Sequence, residues 1–209
     1  MNYEENNCLK LQGKILKPFV YQTQYDGERF FMTEIMVKRL SNQYDCIKIL
    51  VSEKIVNVDI DYKERWVNIT GQFHSYNSRC ENKSHLLLFG FIKEWNFLNT
   101  AYEWDYINKI SICGFLCKPP IYRKTPMGRE ITDILLAVNR EYGKTDYIPC
   151  ILWGRNARYA SGLKVGNQIE AYGRIQSREY NKKILEKMEV VRKIAYEVSV
   201  SKVNLCRKK

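Results

Sequence analysis

The fold is decided by residues 147–176, which read YIPCILWGRNARYASGLKVGNQIEAYGRIQ. The stretch opens with a β-forming run that ends at Trp153, and its last eight residues form a second such run. Before the second run, the pair Gly166-Asn167 is typical of a turn. The apolar residues that recur at helical spacing between the runs are Ala157, Ala160 and Leu163. The stretch therefore predicts a strand, a short helix, a turn and a second strand.

The residues on either side predict three more strands. Upstream, residues 110–116 alternate apolar with other side chains, and Gly128 marks a hairpin turn before the apolar run at 131–138. A second turn, at 142–145, leads into the first of the two strands above, and residues 196–201 alternate into a last strand. The predicted order is β-β-β-α-β-β. It is the order of an OB-fold, a partly open five-stranded Greek-key barrel that binds oligonucleotides.

An internal repeat indicates that the chain contains two copies of this barrel. LQGKI at residues 11–15 resembles ICGFL at 112–116, an offset of 101 residues that also places Gly27 on Gly128. The other matched segments, at an offset of 102 residues, are 67–73 with 169–175, Ser75 with Ser177, and 47–51 with 149–153. This alignment matches Trp153 to Val51.

The repeat defines the predicted fold class and domains. We predict an all-β protein of tandem OB-folds, each a five-stranded Greek-key barrel with one short helix. The first copy spans residues 7–98 and the second spans 106–204. Within the second copy, residues 181–195 fit either a hairpin extension or a short helix, because their apolar residues have near-helical spacing.

The 209-residue chain is basic and rich in aromatic residues. It has 34 Lys and Arg residues against 23 Asp and Glu residues, a net charge of +11, and it contains 15 Tyr, 8 Phe and 4 Trp. Cations attract phosphates and rings stack on exposed bases, so this composition indicates unpaired nucleic acid. The alternative is a solvated basic surface over an aromatic core. Residues 1–100 carry 13 basic and 12 acidic side chains, and residues 101–209 carry 21 and 11, so the second copy holds +10 of the charge.

Several classes of protein are not expected. The longest apolar run, at 85–92, is far shorter than the roughly 20 residues that a membrane-spanning helix needs, and residues 1–7 do not resemble a secretory signal. The seven cysteines are odd in number and scattered, which is typical of reduced core residues in a cytoplasmic protein. Neither His74 nor His85 is placed in sequence to complete a zinc set, and the acidic residues lack clustered spacing. We therefore expect no membrane span, metal, cofactor or catalysis.

Six segments of the second copy occur in the order and with the spacing of a known family. They are NKI at 108–110, Gly114, YRKTPMGRE at 122–130, LAVNR at 136–140, Trp153-Gly154 and GRIQSR at 173–178. These segments closely resemble bacterial single-stranded DNA-binding proteins, whereas the first half resembles that family only through the repeat. The resemblance implies a non-catalytic protein that coats exposed DNA strands in replication, repair or recombination, with OB-folds assembled four to a particle.

The resemblance also implies which rings hold bases. The four aromatic residues at the family's stacking positions are Tyr142, Tyr147, Trp153 and Tyr180. Stacking contributes about 1–3 kcal/mol per base and tolerates any sequence, because every base has a π face. Burial in the core is the alternative for each ring, above all for Trp153, which follows two apolar residues.

Basic residues flank these rings, in predicted hairpins and on the fourth strand. Loops beside the binding face of an OB barrel are where phosphates are expected to run. The candidates are Arg123, Lys124 and Arg129 in the first hairpin, Arg140 and Lys144 in the second, and Arg174, Arg178, Lys182 and Lys183 on the fourth strand and after it. Arg174 and Arg178 alternate with Tyr172, Gln176 and Tyr180, and therefore share one face of the strand.

The first copy departs from the family pattern. Only Tyr44 and Tyr76 retain aromatic character near the matching positions, while Tyr21, Tyr25 and Phe30 lie around its first hairpin. We expect this copy to contribute mainly to assembly, with a residual DNA site as the alternative. Two barrels in each chain would need only a homodimer to reach four OB-folds, and a monomer is the alternative state.

The end of the chain also departs from the family. Many members continue into a glycine-rich linker and an acidic tip that recruits replication proteins, whereas this chain stops at LCRKK, residues 205–209. We expect no recruitment through such a tip. A second hypothesis is an OB-fold accessory protein of a primosome or mobile-element transfer system that mainly binds proteins. RNA also stays a candidate ligand, because stacking does not sense the 2′-hydroxyl.

Overall fold

A computed structural model describes residues 6–80, 83–98, 107–184 and 189–206 of the chain. The first half contains β1 (Asn7–Ile15), β2 (Val20–Tyr25), β3 (Glu28–Lys38), β4 (Tyr44–Ser52), β5 (Trp66–Cys80) and β6 (Lys83–Phe97). The second half contains β7 (Asn108–Leu116), β8 (Ile121–Lys124), β9 (Glu130–Asn139), a single 3-10 turn (Glu141–Gly143), β10 (Thr145–Trp153), α1 (Gly154–Ser161), β11 (Gln168–Ile184) and β12 (Glu189–Leu205). Strands such as β9 alternate buried with more exposed side chains, because one face lines a core.

The twelve strands of the described residues form two closed barrels. They are hydrogen-bonded in the order β2-β3-β4-β6-β5-β1-β7-β11-β12-β10-β9-β8. Pairing of β1 with β3 closes the first six strands, and pairing of β7 with β9 closes the second six. The pairs β4–β6 and β10–β12 are parallel, as the crossover of a Greek key requires. The tandem OB-fold prediction is confirmed, and each barrel adds one short strand, β2 or β8, to the predicted five.

The predicted short helix is present in the second barrel. Ala157 and Ala160 of α1 are fully buried, and the Oγ1 of Thr132 on β9 donates a hydrogen bond of 2.8 Å to the carbonyl oxygen of Ala157. In the first barrel the corresponding residues, 53–65, form turns, so the prediction of a helix there is wrong. No helix in the described part of the chain is long and apolar enough to cross a membrane.

Glycines allow close strand contacts at equivalent positions of the two barrels. A Cβ on Gly13 would lie 2.6 Å from a carbonyl oxygen of β3, and one on Gly114 would lie 2.7 Å from a carbonyl oxygen of β9. A Cβ on Gly71 or Gly173 would overlap a carbonyl oxygen of β6 or β12. Any side chain at these positions would push the strands apart, which explains why the glycines recur in the repeat.

Strands β1 and β7 pair antiparallel and join the barrels. Leu9 lies opposite Ile110, its own equivalent in the repeat, so the pairing is two-fold symmetric about this point. Asn7 and Asn108 make the same two contacts on either side. Each amide group donates to a backbone carbonyl and accepts from the N–H of the same residue, on β5 or β11, at 2.8–2.9 Å.

Two local expectations are decided by the structure. Residues 181–184 belong to β11 and residues 189–195 belong to β12, with Ile184 paired to Glu189, so these residues form paired strands and not a helix. Residues 185–188 lie outside the described part of the chain. The six described cysteines are free thiols, but only Cys113 and Cys150 are buried and Cys8 is exposed. Cysteine therefore serves as a core residue at two of these positions rather than at most of them.

Candidate nucleic-acid interface

Strand β10 presents two aromatic rings on the outer face of the second barrel. Ile148 and Leu152 of this strand are fully buried, whereas Tyr147 and Trp153 are each 38% exposed. Side chains of a strand alternate between its faces, so two rings six residues apart lie on the same face, about 20 Å from each other. Both rings are accessible to a ligand.

Trp153 and the β8–β9 hairpin form an open cleft of about 570 Å³. The other residues that line it are Lys124, Gly128, Arg129, Glu130 and Gly154. Lys124 and Arg129 are exposed and place two cations beside the indole ring. Gly128 has a φ of +74°, which only glycine adopts without strain, so the turn that carries Arg129 depends on it. A ring beside two cations suits a nucleotide, with the base on the ring and the phosphates on the cations.

Three more residues expected at the site are exposed in the second barrel. Tyr180 on β11 is 39% exposed, and Arg178 on the same strand is also exposed. Lys144 is exposed at the end of the 3-10 turn that precedes β10. Arg178 and Tyr180 lie two residues apart on β11 and therefore on the same face.

Of the other residues expected at the site, Arg123 is paired with a carboxylate, and the side chains of three are not described. Arg123 on β8 is exposed, but its Nε donates a hydrogen bond of 2.8 Å to Oδ2 of Asp133. Tyr142 lies in the 3-10 turn and Lys182 and Lys183 lie on β11. The side chains of these last three residues fall outside the described part of the structure.

Arg174 lies at the junction between the barrels. The carboxylate of Asp45, on β4 of the first barrel, is fully buried and accepts a hydrogen bond of 2.6 Å from the backbone N–H of Ser177. Arg39 Nε donates to Asp45 Oδ2 at 2.7 Å, and Arg174 Nη1 lies 3.4 Å from the same oxygen. Burial and the neighbouring charge of Arg39 lower the pKa of the Arg174 guanidinium. One buried anion therefore joins two arginines from different barrels.

Arg140 is the equivalent of Arg39 in the second barrel and lies on the other side of the junction. Asp146, on β10, is fully buried and accepts a hydrogen bond of 2.6 Å from the backbone N–H of Ser75. Arg140 Nε lies 3.1 Å from Asp146 Oδ2 but without the alignment of a hydrogen bond. Burial raises the pKa of Asp146. The second arginine of the Asp45 side is missing here, because Gln72 stands at the position of Arg174.

On the Asp146 side, Arg140 also contacts His74. Its ring is 6% exposed, and its Nδ1 lies 3.0 Å from Nη1 of Arg140. Burial, followed by the positive charges of Arg140, Lys93 and Lys144, lowers the pKa of His74 from 6.5 to about 3. The imidazole is therefore neutral at pH 7.

We expect acid to destabilise the fold through His74. Below pH 6.5 the unfolded chain gains a proton on this histidine, whereas the folded chain does not gain it until about pH 3. The contribution of His74 to the free energy of unfolding therefore falls as the pH falls, by about 1.6 kcal/mol between pH 6.5 and 5. Urea unfolding at a series of pH values measures this slope.

His74→Gln is the control for this prediction, because glutamine is the natural residue at the symmetric position, Gln176. The raised pKa of Asp146 has the opposite pH dependence and is present in both proteins, so the difference between them isolates the histidine. Equal pH dependence in the two proteins would show that His74 does not cause the acid sensitivity.

The strand pairing shows that the match of residues 47–51 with 149–153 is wrong by one residue, because β4 and β10 are equivalent at an offset of 101 and not 102. Trp153 pairs with Ile131, and Ser52 pairs with Phe30, which lies 101 residues before Ile131. The structural equivalent of Trp153 is therefore Ser52 and not Val51. Val51 is fully buried in the barrel core, so it could not have occupied an outward position.

The corrected register shows that the first barrel has no aromatic residue at any of the four stacking positions. The equivalents of Tyr142, Tyr147, Trp153 and Tyr180 are Ser41, Cys46, Ser52 and Ser78. The neighbours Tyr44 and Tyr76 do not take these places. This loss could not be read from the sequence, because a shift of one residue exchanges the two faces of a strand.

A different group of rings lies on the outer face of the first barrel, and the sequence analysis did not find it. This first-barrel ring cluster consists of Phe30, His74, Phe89 and Phe91. The ring of Phe91 stacks on His74 with centroids 5.1 Å apart, and it lies 5.8 Å from Phe30. His74 also contacts Phe89 at 6.2 Å. The three phenylalanines are partly exposed. They lie far apart in sequence, so only the strand pairing brings them together.

The fold and this face define a tandem OB-fold protein with rings and cations on the outer face of one barrel. The family model described as the single-strand binding protein family matches residues 107–206. A single-stranded DNA-binding protein of Clostridium tetani is 34% identical over 99 residues, which cover 44% of this chain and 68% of the relative. The chain belongs to the single-strand binding protein family.

Other relatives match over a smaller share of their length. Single-stranded DNA-binding protein 2 of Listeria innocua is 36% identical over 81 residues, 35% of this chain and 51% of the relative. Single-stranded DNA-binding protein A of Bacillus subtilis is 36% identical over 81 residues, 35% of this chain and 47% of the relative. The chain thus spans about half the length of these two relatives, 51% and 47%.

Solved structures support the two-barrel architecture over the whole chain. Wild-type single-stranded DNA binding protein from Thermus aquaticus matches with a TM-score of 0.72 and 17% identity, and covers 97% of this chain and 94% of that one. A deletion variant of the same protein matches with a TM-score of 0.74 and 16% identity. The similarity concerns the fold. Membership of a family of binding proteins argues against an enzyme.

Proposed function

We propose that the protein binds single-stranded DNA without sequence specificity, through the outer face of its second barrel. The observation that supports this most directly is the face of β10, where Tyr147 and Trp153 are exposed on the same side and Trp153 shares a cleft with Lys124 and Arg129. Stacking on rings accepts any base, and the cations bind the phosphates that every strand carries. DNA replication, repair and recombination are the processes in which such strands are exposed.

The proposed interface extends from β10 to β11. Tyr180, Arg178 and Lys144 are exposed around it, and Tyr142 and Lys182 lie on the same elements. Arg123 contributes charge although it is paired with Asp133. Arg140 and Arg174 contribute less to DNA directly, because each faces a buried carboxylate at the junction.

We also propose that two chains associate, so that the particle presents four OB-folds. Each chain already pairs its two barrels through β1 and β7 with two-fold symmetry. A homodimer would therefore contain two such pairs. Light scattering with and without poly-thymidine measures the mass and the binding together, and a monomer in both conditions would contradict the dimer.

Salt dependence tests the proposed binding. Titration with oligothymidine at increasing salt is expected to give a linear fall of log affinity with log salt, with a slope near −0.7 for each phosphate neutralised. Lys124→Ala combined with Arg129→Ala should make the slope shallower by about 1.4, since two phosphate contacts are lost. Lys63→Ala, an exposed lysine in a first-barrel loop, is the matched control and should leave the slope unchanged. A flat salt response of the wild-type chain would refute the proposal.

A further inference from the structure

The outer faces of the two barrels differ in chemistry at equivalent positions. Where the first barrel has its ring cluster, the second barrel has Ile131, Gln176, Glu197 and Ser199. Ile131 is buried, and Gln176 is hydrogen-bonded to Glu197 at 2.5 Å. Conversely, the first barrel has serine or cysteine at the four stacking positions of the second. The outer face of each barrel therefore carries aromatic rings, but the ring positions of one barrel are not equivalent to those of the other.

The first-barrel ring cluster begins directly beside the interface proposed on β10. The backbone N–H of Tyr147 donates a hydrogen bond of 2.8 Å to Oγ of Ser75, the residue next to His74 on β5. Tyr76 follows on the same strand and is 61% exposed, on the same face as His74. The two neighbours of Ser75 on β5, His74 and Tyr76, therefore lie close to Tyr147 on the side of the first barrel.

Cations from both barrels surround the cluster. Arg140, from the second barrel, lies 3.0 Å from His74. Lys93, at the β-bulge of β6 two residues after Phe91, and Lys144 of the second barrel are both exposed, and the charges of both act on His74. Burial is the largest cause of the low pKa of His74, and the charges of these three cations lower it further. The cluster thus lies in a positive field.

We propose that the first-barrel ring cluster is a second stacking platform for the same single strand, which passes from Trp153 and Tyr147 across Tyr76 to Phe89, Phe91 and Phe30. This inference rests on the function proposed above and extends it. The occupant is a flexible chain with flat apolar groups and regularly spaced anions, since partly exposed rings bind the flat groups, and Lys93 and Lys144 attract the anions. Arg140 faces Asp146 and adds only to the positive charge around the cluster.

Strand length separates this platform from the interface on the second barrel. One OB-fold holds about 4–16 nucleotides, so an oligothymidine of about 10 nucleotides can be bound by the second barrel alone, and one of about 30 can reach both barrels. We expect Phe89→Leu combined with Phe91→Leu to weaken binding of the long strand about fivefold or more, and to leave the short strand unaffected. Leucine keeps the apolar volume while it removes the π faces.

Two further variants make the result interpretable. Tyr76→Ala removes a ring that is 61% exposed, so it tests the same path without altering the core, and it should also weaken only the long strand. Phe97→Leu is the matched control, because Phe97 is a ring of the same strand β6 that packs on Tyr62 with centroids 4.6 Å apart, away from the cluster. Ultraviolet crosslinking of the long strand, followed by peptide mapping, should place adducts on β6.

The outcomes distinguish the two proposals. If the wild-type chain binds neither strand, the proposed function itself fails. If both strands bind through Trp153, but the Phe89/Phe91 and Tyr76 variants bind the long strand with wild-type affinity and no adduct maps to β6, only the second platform is refuted. A lower mass for the Phe89/Phe91 variant in light scattering, with unchanged affinity, would also refute it and assign the cluster to contact between copies of the chain.

Discussion

Trp153→Ala is expected to weaken oligothymidine binding by about 5- to 150-fold, which corresponds to the roughly 1–3 kcal/mol that one base–ring stack contributes. The indole ring is 38% exposed at the end of β10 and shares its cleft with two cations, so its loss removes a stacking surface and leaves the barrel core intact. Tyr147→Ala should have an effect of similar size, because its ring lies on the same face. Fluorescence anisotropy of labelled oligothymidine measures both.

The control for these variants is Tyr25→Ala. Tyr25 lies at the tip of the β2–β3 hairpin and is 76% exposed, so its replacement removes an exposed ring without touching the proposed face. Its affinity should equal that of the wild-type chain, and all three variants should unfold at the same urea concentration as the wild type. Unchanged affinity in both the Trp153 and Tyr147 variants would remove β10 from the interface.

The fold could be predicted from the sequence because its signals are local. Apolar alternation, Gly128 in a hairpin turn and the spacing of Ala157 and Ala160 in α1 each fix one element without reference to the rest of the chain. Residues 53–65 contain no alanine, and the helix expected there from the repeat is absent. Residues 181–184 and 189–195 show the limit of periodicity, since they pair as strands despite a near-helical spacing of apolar residues.

The candidate site could be predicted only in part. Tyr147 and Trp153 follow from the family pattern, whereas the choice between exposure and burial of their rings required the structure. By contrast, the roles of Arg140 and Arg174 depend on Asp146 and Asp45, which become their partners only when the two barrels meet. The ring cluster of the first barrel depends on the register of three strands. Contacts between residues distant in sequence are set by tertiary packing, and no local pattern encodes them.

The two buried carboxylates at the junction are expected to differ sharply in their contribution to stability. Asp45→Asn removes the anion that holds Arg39 and Arg174 together, and leaves two guanidinium groups facing each other where the side chain of Arg39 is only 19% exposed. Breaking a buried pair in this way typically costs about 3–5 kcal/mol, so we expect a loss of that size in the free energy of unfolding. Urea unfolding at pH 7 measures it.

Asp146→Asn is the matched variant on the symmetric side of the junction, and it should cost only about 1 kcal/mol. Its carboxylate faces one arginine without hydrogen-bond alignment, and burial raises its pKa, which means that the site stabilises the anion less well than water does. An asparagine there keeps the oxygen that accepts from the N–H of Ser75. Of the two carboxylates at the junction, Asp45 is therefore expected to contribute more to stability than Asp146, and equal losses in the two variants would contradict that asymmetry.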